Sequence, residues 1–203
     1  MTESEWRSAV EPHAMLDYLQ NIGKPSDRKL RLFAVACSRR IWSMIDDLGR
    51  AAVGAAEDFA DGRLGSDELR AARLACQGTG GQASWYAAAT SPAIAARNAA
   101  RSAQAGAATH SNVAEELFAQ ASLVREIFGD PFVPVSVNEL WLMPGAVKLG
   151  QAIYDDRAFD QMHILAAELE NACCTNVEIF NHCKGSGPHV RGCWALDILL
   201  GRS

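Results

Sequence analysis

The stretch SDRKLRLFAVACSRRIWSMIDDLG, residues 26 to 49, decides how this chain reads. Ser26 follows Pro25 and is placed to accept hydrogen bonds from the unsatisfied amides of a helix start. From there Leu30, Phe33, Ala34, Cys37, Ile41 and Ile45 recur at helical spacing on one face, while Leu32, Val35 and Trp42 supply a second apolar side. A helix that is apolar on two sides is contacted from two directions, so residues 26 to 46 are expected to form a central helix.

Helical signals continue on both sides of it. PHAMLDYLQNIG, residues 12 to 23, predicts a short helix with Pro12 at its first position and Gly23 just past its end. AAVGAAEDFADG (51–62) and SDELRAARLACQG (66–78) follow, the latter capped by Ser66. Residues 83 to 128 are alanine-rich, in three pieces separated by TSP and GAATHS. There Ala95, Ala99, Ser102, Ala103 and Gly106 form a small-residue stripe that lets a neighbouring helix approach closely. GDPFVPVSV (129–137) carries two prolines and reads as an ordered extended connection, not a central strand. Beyond it, GAVKLGQAIYDD, DQMHILAAELENA, NVEIFNHCKG and HVRGCWALDILLG each predict a helix. The expected architecture is all-α, a single-domain helical bundle of about nine helices over residues 1–203. Its N-terminal helical layer spans 1–128, its connection 129–143, and its C-terminal layer 144–203, packed on the central helix.

A domain of 203 residues buries roughly 70% of the surface its unfolded chain exposes, so neither a metal nor a disulfide is required for stability. The net charge of -5, from 19 basic and 24 acidic residues with no long run of either sign, argues against nucleic acid as a partner. No apolar run approaches the length of a membrane span, and MTESEWRSAVEP has no basic region followed by an apolar one. A cytoplasmic protein is expected, with its six cysteines as thiols or ligands.

Four of those cysteines and two of the five histidines fall within residues 171–202. Thiolate and imidazole are the usual zinc ligands, and His189 and Cys193 lie four apart on an expected helix, with Cys183 across the KGSGP turn and Cys174 as a fourth donor. No two cysteines sit two to four residues apart, however, so the spacing permits zinc without requiring it. The alternative is core packing: Cys183 follows Ile179 by four, and Cys193 shares an expected face with Val190, Trp194 and Leu200. No metal is therefore assigned; the set for zinc, if one is bound, is Cys174, Cys183, His189 and Cys193. The KGSGPHVRG turn, with Lys184 and Arg191 beside a Gly-x-Gly loop leading into a helix, offers an anion site, although Pro188 removes one amide. A nucleophile drawn from Cys183 or Cys193 with His182 or His189 and Asp197 is a third option. Asp197 either faces the apolar side of the last helix, where Arg39 or Arg40 would be reasonable partners, or is solvated at the edge of the apolar arc.

SDRKLRLFAVACSRRIW, IFGDPFVPVSV, AIYDDRAFD and GPHVRGCWALDILLG resemble an uncharacterised bacterial family that occurs as many paralogues in some genomes, sometimes beside short repeat-companion modules. The likeness covers most of the chain but implies no activity, cofactor or catalytic residue. Members often have Cys-Cys at Cys37 and Ser38 and Gly-Cys at Cys173 and Cys174, which implies Cys174 as the better ligand candidate.

The sequence shows no recognisable nucleophile and base, paired-carboxylate motif, phosphate loop or dinucleotide fingerprint. It is expected to be a non-enzymatic interaction or scaffold module of a bacterial cytosol. Lys184, His189 and Arg191 would meet an acidic segment of another protein. The alternatives are a small Cys/His-dependent hydrolase or transferase and a zinc-stabilised structural module. The sequence sets no oligomeric state.

Overall fold

The computed structural model describes residues 1–23, 25–78, 82–108, 112–135, 138 and 141–202. Among the described residues the fold is all-α, with twelve α-helices, nine of them seven residues or longer, and no strand. Among the described residues no helix is long and apolar enough to cross a membrane. The chain forms two compact units, Met1–Val124 and Arg125–Ser203.

The first unit contains α1 (Glu3–Ser8), α2 (Pro12–Asn21), α3 (Asp27–Arg40), α4 (Asp47–Ala60), α5 (Ser66–Ala75), α6 (Gln82–Ala87), α7 (Pro92–Ala107) and all but the last turn of α8 (Val113–Phe128). Ser26 caps α3 as expected, its side chain accepting from the Lys29 amide at 3.3 Å. Every residue from Leu30 to Ser38 is buried, and α3 packs against α4, α6 and α7. It is shorter than the expected helix to residue 46. Asp46 accepts from the Gly49 amide at 2.8 Å and so caps α4 instead of extending α3. The intervening residues tighten into a 3-10 turn, Trp42–Met44, yet Ile41 and Ile45 remain buried.

The alanine stripe of α7 does what its side chains allow. Ala95, Ala99 and Ala103 are fully buried, and α3 with α7 is the most extensive helix pair in this unit. Ala99→Leu is expected to cost about 1–3 kcal/mol by overpacking, read from urea unfolding. Several charged residues of this unit are held by partners. Arg39 and Arg40, the expected partners of Asp197, bond Glu57 at 3.2 Å and Glu116 at 2.7 Å. Buried Arg31 donates to the carbonyls of Ala87, Ala89 and Thr90 at 3.1, 2.7 and 3.2 Å.

The second unit holds the last turn of α8, then α9 (Pro144–Asp156), α10 (Met162–Asn171), α11 (Val177–Lys184) and α12 (Trp194–Leu199). Its core joins Ile153, Met162, Leu165, Leu169, Ile179 and Leu196 with Cys174, Cys183 and Cys193. The expected helix from His189 is a correction: residues 185–193 are non-helical and α12 begins only at Trp194. Gly185, Gly187 and Pro188 interrupt the helix, and Gly192, at φ +89°, turns the chain immediately before α12. In the expected connection, Asp130 organises a turn, its carboxylate accepting from the Phe132 amide at 2.9 Å; residues 136, 137, 139 and 140 lie outside the described set. Gly129 has φ +71°, and a β-carbon there would stand 3.3 Å from the Trp194 ring, so both conformation and space favour glycine.

Candidate metal centre

The second unit brings together four donor residues that are far apart in sequence. Glu126 stands on the last turn of α8, His182 on the last turn of α11, and His189 and Cys193 in the loop before α12. One ligand atom from each lies within 4.8 Å of all the others. Glu126 and Cys193 are buried and the two histidines are partly so.

The carboxylate of Glu126 is the hub. Its Oε1 faces His189 Nδ1 at 3.2 Å and accepts from the Val190 amide at 3.4 Å; its Oε2 lies 3.4 Å from His182 Nε2. His182 Nε2 is also 3.0 Å from Cys193 Sγ. The two imidazole rings meet edge to face, with centroids 4.9 Å apart.

The hydrogen-bond partners fix where protons sit. Trp194 Nε1–H, which can only donate, points at His182 Nδ1 from 3.1 Å, so neutral His182 carries its proton on Nε2, toward Glu126 and Cys193. His189 faces acceptors at both nitrogens, Glu126 at Nδ1 and the Gly185 carbonyl at Nε2, the latter at 3.2 Å. Burial lowers the basicity of both rings. For His182 burial prevails; for His189 the hydrogen bond to Glu126 and its charge raise the pKa above the usual histidine value. Burial and the Glu126 charge push the Cys193 thiol well above its ordinary value, and the same two causes push Cys183 to about 12.

Of the zinc set read from the sequence, His189 and Cys193 belong to this group, while Cys174 and Cys183 are buried in the surrounding core. The helical spacing argument did not place His189 and Cys193 together; a non-helical turn does, closed by the Cys193 amide donating to the Val190 carbonyl at 3.0 Å. Glu126 escaped the sequence reading, and His182 entered it as a candidate base but not as a metal ligand. A signal for Glu126 was present: a carboxylate three residues after Leu123 and next to Ile127 interrupts the apolar face of α8. His182, adjacent to Cys183, does not fit the ligand spacing of a zinc module and so carries no local sign of a ligand role.

The expected binding residues do not make one outward-facing basic patch. Lys184 is exposed, with its ammonium 5.3 Å from the Phe180 ring. His189 turns inward to Glu126. Arg191 donates to the carbonyls of Tyr154 and Asp155 at 3.2 and 2.9 Å and so serves the C-terminal end of α9, whose last carbonyls have no helical partner. The Gly-x-Gly loop does not lead directly into a helix, so no helix N-terminus faces an anion there. Asp197 is buried, not solvated.

Comparison with family models, with curated proteins and with solved structures finds no match.

The buried thiols have a direct chemical consequence. Cys173 is the exposed cysteine, whereas the other five are buried. Alkylation of the native protein at neutral pH is expected to label Cys173 alone, as read by peptide mass spectrometry.

Proposed function

We propose that the second unit is a zinc-stabilised structural module held by Glu126, His182, His189 and Cys193. The observation that carries this reading is the convergence of the four donors within 4.8 Å, from two helix ends and a loop that share no local repeat. Two imidazoles, a thiol and a carboxylate are a donor set that zinc takes, and four protein ligands leave no open position for a substrate, as in structural sites. His189 also has a suitable outer partner. With Nδ1 turned to an ion, its Nε2–H stays on the Gly185 carbonyl, a bond that fixes the ring and its tautomer.

His182 distinguishes this reading from its rival. To ligate through Nε2 it must carry its proton on Nδ1, where the Trp194 indole N–H now points. That contact favours a second reading, a metal-free network in which Glu126 accepts from both histidines. Under the zinc reading the indole leaves His182 when the ion binds, and Trp194→Phe is expected to retain or tighten metal affinity.

Catalysis by Cys193 is opposed by the same geometry. The thiol is fully buried and held protonated, and His182 presents a donor to it where a base would need a lone pair. A non-enzymatic module that meets another protein, in a bacterial cytosol, fits these features better than a hydrolase or transferase.

Cobalt substitution tests the proposal. The loaded protein is expected to show the strong visible absorption of a tetrahedral site and a thiolate-to-cobalt band that disappears in Cys193→Ser. A weak spectrum like that of hydrated cobalt would leave the metal-free network as the answer.

A further inference from the structure

We infer that the cleft between residues 159–163, where α10 begins, and residues 183–189, where α11 ends, is the route by which a divalent cation reaches the metal centre, with His163 and Asp160 as an outer metal site on its wall. This route presupposes the zinc reading of Glu126, His182, His189 and Cys193. The cleft has a volume of about 460 Å³, and among the described residues His189 is the one donor of the centre that lines it.

An ion has to cross a protein shell to meet the other donors. Glu126 and Cys193 are only 4% and 0% exposed, and Cys193 shares a core with Ile179 and Leu196. His182 is covered by the Trp194 indole, their rings 4.9 Å apart. His189 differs, because it borders the cleft and also meets the Glu126 carboxylate through Nδ1 at 3.2 Å. It stands on a loop whose Gly185 and Gly187 line the same cleft. A β-carbon at Gly187 would meet nothing within 4 Å except the His189 ring, at 3.9 Å, so space is open beside that ring. The donor that joins cleft to centre thus sits where the wall carries the least side-chain bulk.

The other stretch of the wall carries groups suited to a cation. His163 Nδ1 lies 2.7 Å from the Asp160 carbonyl oxygen, which can only accept, so the neutral ring keeps its proton on Nδ1 and a lone pair on Nε2. An imidazole that donates one N–H to a backbone carbonyl has its tautomer and orientation fixed for ligation through the other nitrogen. His163 and Asp160 are both exposed and both line the cleft, so the Asp160 carboxylate adds the charge that draws a cation there. Lys184 also lines the cleft, but its ammonium lies 5.3 Å from the ring of Phe180, which does not. Two donors hold an ion loosely and pass it on; the four donors of the centre keep it.

The test mixes cobalt(II) with metal-stripped full chain by stopped flow and follows the thiolate-to-cobalt band. In wild type the loading rate is expected to rise with cobalt concentration and to fall with added salt. His163→Ala is expected to slow both loading and removal by a chelator about fivefold or more, since a group on the route acts on both directions. Its final band and equilibrium affinity should equal those of wild type, which also shows that the fold is kept. His163→Asp, which retains a donor, is expected to recover most of the rate, and Asp160→Asn to slow loading about twofold. Absence of the band from wild type removes the metal centre and the route together. A full band that grows in His163→Ala at the wild-type rate overturns the route alone, and so does a wild-type rate that ignores cobalt concentration. An affinity that falls in His163→Ala as far as the loading rate, with removal unchanged, likewise overturns it.

Discussion

Stripping metal from the purified protein is expected to lower its thermal midpoint by roughly ten degrees, and one equivalent of zinc is expected to restore it. A ligand that binds only the native state stabilises it by about 4 kcal/mol when present at a thousand times its Kd. For a chain of this size, each kcal/mol moves the midpoint by about 2–4 °C. The effect should arise in the second unit, because the four donors come from α8, α11 and the loop before α12, all between residues 126 and 193. Without the ion, the loop at residues 185–193 keeps its hydrogen bonds to Glu126 and, through Arg191, to the Tyr154 and Asp155 carbonyls, but loses the shared ligand that would join it to both α8 and α11. Calorimetry with and without chelator reads the change directly, and an unchanged midpoint would oppose a structural ion.

Glu126→Ala should be the most damaging single substitution in the second unit. It removes the acceptor of His189, His182 and the Val190 amide at once and leaves His189 without the charge that raises its basicity. Breaking a buried pair from one side costs about 3–5 kcal/mol, since the remaining partner stays buried and uncompensated. The zinc reading makes a sharper statement about context. If Glu126 also ligates an ion, its substitution should cost more in metal-loaded protein than in stripped protein, and the difference is the coupling between carboxylate and ion. Urea unfolding of wild type and variant in both states provides the four measurements. Equal costs in both states would place Glu126 in a hydrogen-bond network alone.

The all-α architecture was legible because it rests on local signals. Ser26, the apolar periodicity through Cys37 and the small residues Ala95, Ala99 and Ala103 each act over one helix, and each does in the structure what its spacing requires. Where helices stop was less legible. α3 stops at Arg40 and Asp46 starts a new helix, a break that the apolar periodicity through Ile41 and Ile45 does not register. The loop before α12 misled for a similar reason: HVRGCW has apolar residues at helical spacing, but Gly192 needs φ +89° and Pro188 has no amide to give.

Half of the candidate centre was visible for a reason that proved incorrect in detail. His189 and Cys193 were paired through an assumed helical turn, whereas a non-helical turn brings them together. Glu126, 56 residues before His182, is joined to the cluster only by the tertiary fold, so no short motif marks it. Its one local trace is a carboxylate on the apolar face of α8, a costly placement that asks for a partner. Cys174 and Cys183 looked equally suited as ligands because thiols also fill cores, and here both do.

The most direct test of the central claim is the elemental metal content of protein purified without chelator, measured for wild type, His189→Ala and Cys193→Ser. One equivalent of zinc per chain in wild type, lost from both variants, is the predicted result. Wild-type protein that neither carries zinc nor takes it up on addition, or zinc retained at full stoichiometry in both variants, would contradict the assignment of Glu126, His182, His189 and Cys193 as a metal centre.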